Sequence, residues 1–264
     1  MPRPPFPIAR ARSHRFGAAT SSFEVRTSDG VDLVGTRLGD AEPAVVLCHG
    51  FSGWHRKSRP ATFAEQLARW FTVYAFDFRG HGLSGGETTF GGLEIHDVAA
   101  VVALARDERH GPVGTVGGSM GGVAVIRHAA LLGGVDAVVT ISTPARWDGH
   151  SSEAVRRMAW LAGTARGRRV GRALGVRITP AIERQESPED VVGKIAPTPL
   201  LIVHGRDDHF FDEEEAWRLY RRAGEPKGLW LASPFGHSED GFSDRLADRV
   251  ARYLVRTWGL VWPG

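Results

Sequence analysis

Cysteine, lysine and long apolar runs are scarce in this 264-residue sequence. Its one cysteine, Cys48, has no partner for an internal disulfide, which fits a reducing compartment and makes cytoplasmic residence the expectation. No stretch approaches the roughly eighteen consecutive apolar residues of a membrane-spanning helix, so stable membrane insertion is not expected. Lys57, Lys194 and Lys227 are the only lysines, and none follows a glycine-rich turn, which removes the phosphate-loop signature G-K-[ST]. No histidine precedes a glutamate, so H-E-x-x-H is absent, and the lone thiol offers no zinc cluster. Neither a metal nor an organic cofactor is implied. Lysine plus arginine total 33 against 30 acids, an excess too mild to call for a nucleic-acid partner.

The sequence is otherwise of ordinary globular composition, 42% hydrophobic and 24% charged. That excludes collagen-like, coiled-coil and wholly disordered chains. Its length allows one large domain or two small ones. Residues 1–20 carry prolines and arginines without an apolar signal-peptide core, and read as a loose or surface-bound arm. Residues 21–264 read as one domain.

Short apolar, β-branched runs alternate with longer amphipathic stretches. Ser22–Arg26 and Val31–Arg37 flank the turn pair Asp29-Gly30. Strand-like runs follow at Ala44–Cys48, Thr72–Phe76, Val113–Val116, Ala137–Ile141, Pro199–Val203 and Gly228–Ala232. Helical spacing fills the intervals: Phe63, Leu67 and Trp70; Val98 to Ala105; Met120–Leu132; Phe211–Ala223; Phe242 to Tyr253. Regular strand–helix alternation predicts an α/β fold with a mostly parallel sheet covered on both faces. From about residue 145 to 196 no strand-like run occurs, too long an interval for an ordinary connection, and it reads as an inserted helical lid.

Gly117-Gly-Ser119-Met-Gly121 lies where a strand passes into a helix and matches G-x-S-x-G. A serine in such an abrupt turn needs glycines two residues on either side, where side chains would clash, and its oxygen then faces a helix N-terminus. The glycines at 114, 117, 118, 121 and 122 do not fall on the dinucleotide pattern G-x-G-x-x-G. Three further motifs accompany the serine: His49-Gly50-Phe51 after the third strand, Asp77-Phe-Arg-Gly-His-Gly-Leu-Ser84 after the next, and His204-Gly-Arg-Asp-Asp208 after a late one. With these, residues from about 22 to 258 resemble the α/β-hydrolase family, most of all its serine aminopeptidase, monoglyceride-lipase-like and bacterial carboxylesterase members.

The resemblance implies an eight-stranded sheet with a helical lid and the order serine, acid, histidine. A serine is a weak nucleophile until a base takes its proton and an acid orients that base. Of the histidines downstream of Ser119, His128 lies within the following helix, His150 precedes any accepted acid, and His204 and His209 flank the acid itself. His237, in the loop after the last strand, matches the family's base. The family spacing G-x-x-D selects Asp208, with Asp207 and Asp148 as competing acids and Asp207 expected to face solvent or pair with Arg206. Backbone N–H groups of Phe51 and Met120 are the expected oxyanion donors. His49, His81 and Arg79 are expected to be turn scaffold. Trp147, Met158, Trp160 and Leu161 in the lid are expected to bind substrate, a small-molecule acyl ester cleaved through an acyl-enzyme. Thioester or peptide hydrolysis, and a non-hydrolytic binding protein, lyase or perhydrolase on this fold, are the alternatives. Arg166, Arg168, Arg169, Arg172 and Arg177 read as a solvated helix face or as contacts for an anionic substrate.

Overall fold

The computed structural model describes residues 13–17, 20–149, 152–181 and 185–262. Most of the expected N-terminal arm, and His150, lie outside them. Eight strands form one sheet: β1 (Thr20–Arg26), β2 (Asp32–Leu38), β3 (Ala44–Cys48), β4 (Thr72–Phe76), β5 (Val113–Gly118), β6 (Ala137–Ile141), β7 (Leu200–Gly205) and β8 (Lys227–Ala232). Their spatial order is β1-β2-β4-β3-β5-β6-β7-β8. The first hairpin is antiparallel and joins β4 antiparallel, while every pair from β4 to β8 is parallel. Alternation within β3 shows why these runs are apolar throughout. Val45 and Leu47 enter the core on one face of the sheet, and Ala44, Val46 and Cys48 the core on the other.

Helices α1 (Ser58–Leu67), α2 (Glu94–Glu108) and α3 (Met120–Leu131) follow β3, β4 and β5, each crossing back to a parallel strand. Phe63 and Leu67 of α1 share one core with Leu246 and Val250 of the closing helix α8 (Asp244–Thr257). Val98, Val101 and Ile126 of α2 and α3 fill the other core with Leu219 of α7 (Glu213–Arg222). Between β6 and β7 lie α4 (Glu153–Gly163), α5 (Ala165–Ala173) and the short α6 (Pro188–Val191), which leads into a 3₁₀ turn. This is the interval from which strands are missing in the sequence. Two isolated bridges, His81 to Val176 and Thr88 to Ile178, tie its middle to the loop after β4.

The described part of the N-terminal arm is bound to the body. His14 bonds Glu65 of α1 at 3.0 Å, and Phe16 stacks on His55. Several element ends differ from the sequence pattern by one or two residues, and two of the differences have a visible cause. β5 runs on to Gly118, because the glycines continue the ladder to β6. Helix α7 starts at Glu213 rather than Phe211, because the N–H groups of Phe210 and Phe211 are drawn to Asp208.

Candidate active site

Ser119 follows β5 directly and precedes α3, with φ 53° and ψ −118°, a conformation costly for any residue with a Cβ. The flanking glycines are required by contact. A Cβ on Gly117 would collide with the Gly121 carbonyl, and one on Gly121 with the Cys48 carbonyl. The turn is pinned where the Ser119 N–H donates to the Ile141 carbonyl at 2.9 Å. Among the described residues four other non-glycine residues have positive φ: Ser52, Phe90, Ser142 and Ser238. Ser52, Phe90 and Ser238 line the cavities around Ser119, and Ser142 follows the Ile141 to which Ser119 bonds. Backbone strain is thus concentrated at one place in the fold.

His237 lies in the loop after β8 and Asp208 in the loop after β7. The Nε2 of His237 is 2.9 Å from Ser119 Oγ, and its Nδ1 is 2.8 Å from Asp208 Oδ2. A carboxylate can only accept, so Nδ1 carries the proton and Nε2 presents its lone pair to the serine hydroxyl. The Asp208 carboxylate is fully shielded, and its other oxygen accepts the N–H groups of Phe210 at 2.8 Å and Phe211 at 3.1 Å. Burial works to raise its pKa. The hydrogen bond and charge of His237, with the two backbone donors, outweigh burial and hold the carboxyl below its usual range.

The sequence brings these three together as expected, and the competing acids stand elsewhere. Asp148 is exposed in the segment after β6. Asp207 is solvent-exposed, as expected, but does not pair with Arg206, which binds Glu213 at 3.0 Å. Its carboxylate instead accepts the Phe235 N–H at 3.1 Å and the Ser233 hydroxyl at 3.4 Å, bracing the loop that leads to His237. Asp240 braces the other side by accepting the His237 N–H at 3.2 Å while Arg59 pairs with its second oxygen. Phe210 stacks on the His237 ring at 4.3 Å between centroids. Sequence reasoning missed Phe210 and Asp240. The available signals were an aromatic just past the acid pair and an acid three residues after the histidine, the spacing of a capping box.

The backbone around Ser119 also offers donors. Met120 is the first residue of α3, whose ladder begins only with the Val123 N–H bonding the Ser119 carbonyl, and no acid occupies its first turn. Gly50 packs against the serine: a Cβ there would sit 3.3 Å from Ser119 Cβ, which places the Phe51 backbone at the site. His49 shapes that loop as scaffold. Its Nε2 accepts the Phe78 N–H at 3.0 Å and its Nδ1 donates to the Gly50 carbonyl at 2.8 Å, while burial lowers its pKa to about 3 and keeps it neutral. Arg79 spans Asp29 and Asp97 from below, and His81 donates to the Arg79 carbonyl. Buried Glu94 gathers Thr88, Thr89 and the Gly91 N–H, holding the loop that carries Phe90 against Phe51.

Two cavities meet at Ser119, Phe51 and Met158. The larger, about 740 Å³, is lined by His237, His209 and Phe210 and ringed by charged residues including Lys57, Arg59, Glu153 and Glu239. The smaller, about 350 Å³, is mainly apolar, with Met120, Val123, Phe211, Trp147 and Ala162 in its wall. Of the residues expected to bind substrate, Met158 lines both, Leu161 the larger and Trp147 the smaller. Trp147 is fixed there by an indole bond to the Gln185 carbonyl at 2.9 Å. Trp160 corrects the expectation: it lines neither cavity and is 44% exposed. On α4 it lies two residues from Met158, so the helical turn carries it to the outer face. Among the described residues no group of three or more histidine, cysteine or acidic side chains is arranged to hold a metal ion.

Sheet order, strained serine turn and loop positions together define a family, and a match to the α/β-hydrolase family model over residues 45–263 agrees. The chain belongs to the α/β-hydrolase family. Among its relatives is the Escherichia coli K12 protein YfhR, 27% identical over 257 residues that cover 90% of this chain and 80% of that protein. Bacillus subtilis YqkD is 27% identical over 229 residues, covering 83% and 73% respectively. Among solved structures, the Pyrococcus furiosus esterase Pf2001 superposes with a TM-score of 0.75 at 25% identity, covering 94% of this chain and 99% of its own.

Proposed function

We propose that the protein is a serine hydrolase of carboxylic esters working through an acyl-enzyme. The observation that carries this reading is the continuous line Ser119 Oγ, His237 Nε2, His237 Nδ1, Asp208, with both links under 3 Å. The similarity to the Pyrococcus esterase supports the choice of ester as substrate. Ser119 Oγ attacks the ester carbonyl as its proton passes to His237 Nε2, and Asp208 stabilises the resulting imidazolium. The N–H groups of Phe51 and Met120 donate to the oxyanion of the tetrahedral intermediate. His237 returns the proton to the departing alkoxide, leaving the acyl group on Ser119. Water, deprotonated by His237, then releases the carboxylic acid and restores the serine.

The proton path also orients the substrate. The leaving group must depart beside His237, hence into the larger, charge-ringed cavity. The acyl chain enters the apolar cavity beside Met120, with Trp147 and Met158 in its walls and α4 as its lid. A fluorophosphonate probe tests the nucleophile: it should label the wild type and leave Ser119→Ala unlabelled at an unchanged melting temperature. Equal labelling of both would refute the assignment.

A further inference from the structure

The outer surface of the insertion has its own electrostatic character. Residues 152–181 contain seven arginines and one acid, Glu153, whereas the rest of the chain holds more acids than bases. On α5, Arg166, Arg169 and Arg172 recur every third residue, on the side opposite the helix's buried residues Gly167 and Gly171. All three are exposed, and none forms an ion pair among the described residues. Many other surface arginines are matched: Arg157 by Glu153, Arg206 by Glu213, Arg221 by Glu214, Arg252 by Asp248.

Exposed apolar side chains border this arginine stripe on one side. Val170 is 40% exposed and Leu174 66%, and Trp160 projects from the outer face of the adjoining α4. A helix face built only for solvation has no reason to present an indole and two aliphatic side chains to water. A nucleic acid or an acidic polymer would satisfy the guanidinium groups and leave the apolar groups uncovered. An anionic bilayer accepts both: phosphates pair with arginines, while the indole and aliphatic groups settle at the boundary between headgroups and acyl chains. Leu174 also lines the larger cavity, so this surface adjoins its mouth. No helix among the described residues is long and apolar enough to cross a membrane, so such contact would be peripheral.

We propose that the α4–α5 hairpin docks on anionic lipid bilayers, seating Trp160, Val170 and Leu174 among the headgroups while Arg166, Arg169 and Arg172 bind phosphates. Docking is independent of the chemistry assigned to Ser119. The test is co-sedimentation of the full chain with phosphatidylcholine vesicles, with and without phosphatidylserine. Binding should require the anionic lipid and fall as salt rises. At about fivefold per arginine, the triple variant Arg166→Gln, Arg169→Gln, Arg172→Gln should partition about a hundredfold more weakly. Trp160→Ser should weaken binding at any salt concentration. Both variants should keep the wild-type melting temperature and the wild-type rate on a water-soluble ester, which separates lost docking from lost fold or lost chemistry. Failure of the wild type to bind anionic vesicles overturns the proposal, as does undiminished binding by the triple variant. Retention on heparin or duplex DNA without vesicle binding would assign the patch to a polyanion instead, and overturns it equally.

Discussion

Below the cavities, Ser119, His237 and Asp208 stand on strand ends whose neighbours are buried and hydrogen-bonded. Above them, α4 runs from Glu153 to Gly163 without one buried residue. The floor is over-determined. Gly117 and Gly121 touch backbone, Asp208 is held by three donors, and the His237 loop is braced by Asp207 and Asp240. Met158 and Leu161 of α4 face the cavities and are only half-buried. Such a contrast separates two tasks. Reacting groups need fixed geometry, to within fractions of an ångström, whereas a wall that selects among substrates needs only shape and polarity.

The largest effect that would break this comparison lies in the floor. Asp208→Asn should lower kcat by about 10⁴, because the amide no longer fixes the His237 tautomer. Asp207→Asn and Asp148→Asn should cost far less. A crippling Asp148→Asn, measured by steady-state ester hydrolysis, would move the acid to the segment after β6. Stability offers the next contrast. Phe63 is wholly buried between α1 and α8, so Phe63→Ala should destabilise the fold by about 3–5 kcal/mol in chemical denaturation. Leu161→Ala in the insertion should cost less than about 1 kcal/mol. Equal losses would make the insertion part of the cooperative core. The smallest effect concerns selection. Ala162→Phe narrows the apolar cavity, and should reduce kcat/KM for long acyl esters relative to acetate by roughly ten- to a hundredfold, or about 1–3 kcal/mol. An unchanged chain-length profile would move the acyl group to the other cavity.

The floor was largely legible in the sequence because its requirements are local. A strained serine needs small neighbours at fixed offsets, and Asp208 and His237 sit at fixed places after strands that their apolar runs announce. Alternation of strand and helix likewise conveyed the sheet, since buried parallel strands leave continuous apolar runs. What stayed illegible depends on contacts distant in sequence. The brace from Arg59 to Asp240 spans 181 positions. Asp207 faces the Ser233–Phe235 loop rather than its neighbour Arg206 because the β7 and β8 loops approach each other in space, which no periodicity reports. Trp160 was misplaced for another reason: α4 buries nothing, so the apolar pattern that orients core helices says little about which of its residues face inward.

On the proposed reading, Ser119 becomes covalently acylated on a floor that needs no further reacting group. Rapid-quench mass spectrometry during p-nitrophenyl acetate turnover tests it most directly. A burst of p-nitrophenol approaching one equivalent is expected, with an acetyl group on the peptide containing Ser119. Turnover with no burst and no adduct, or an adduct on any other residue, would contradict it.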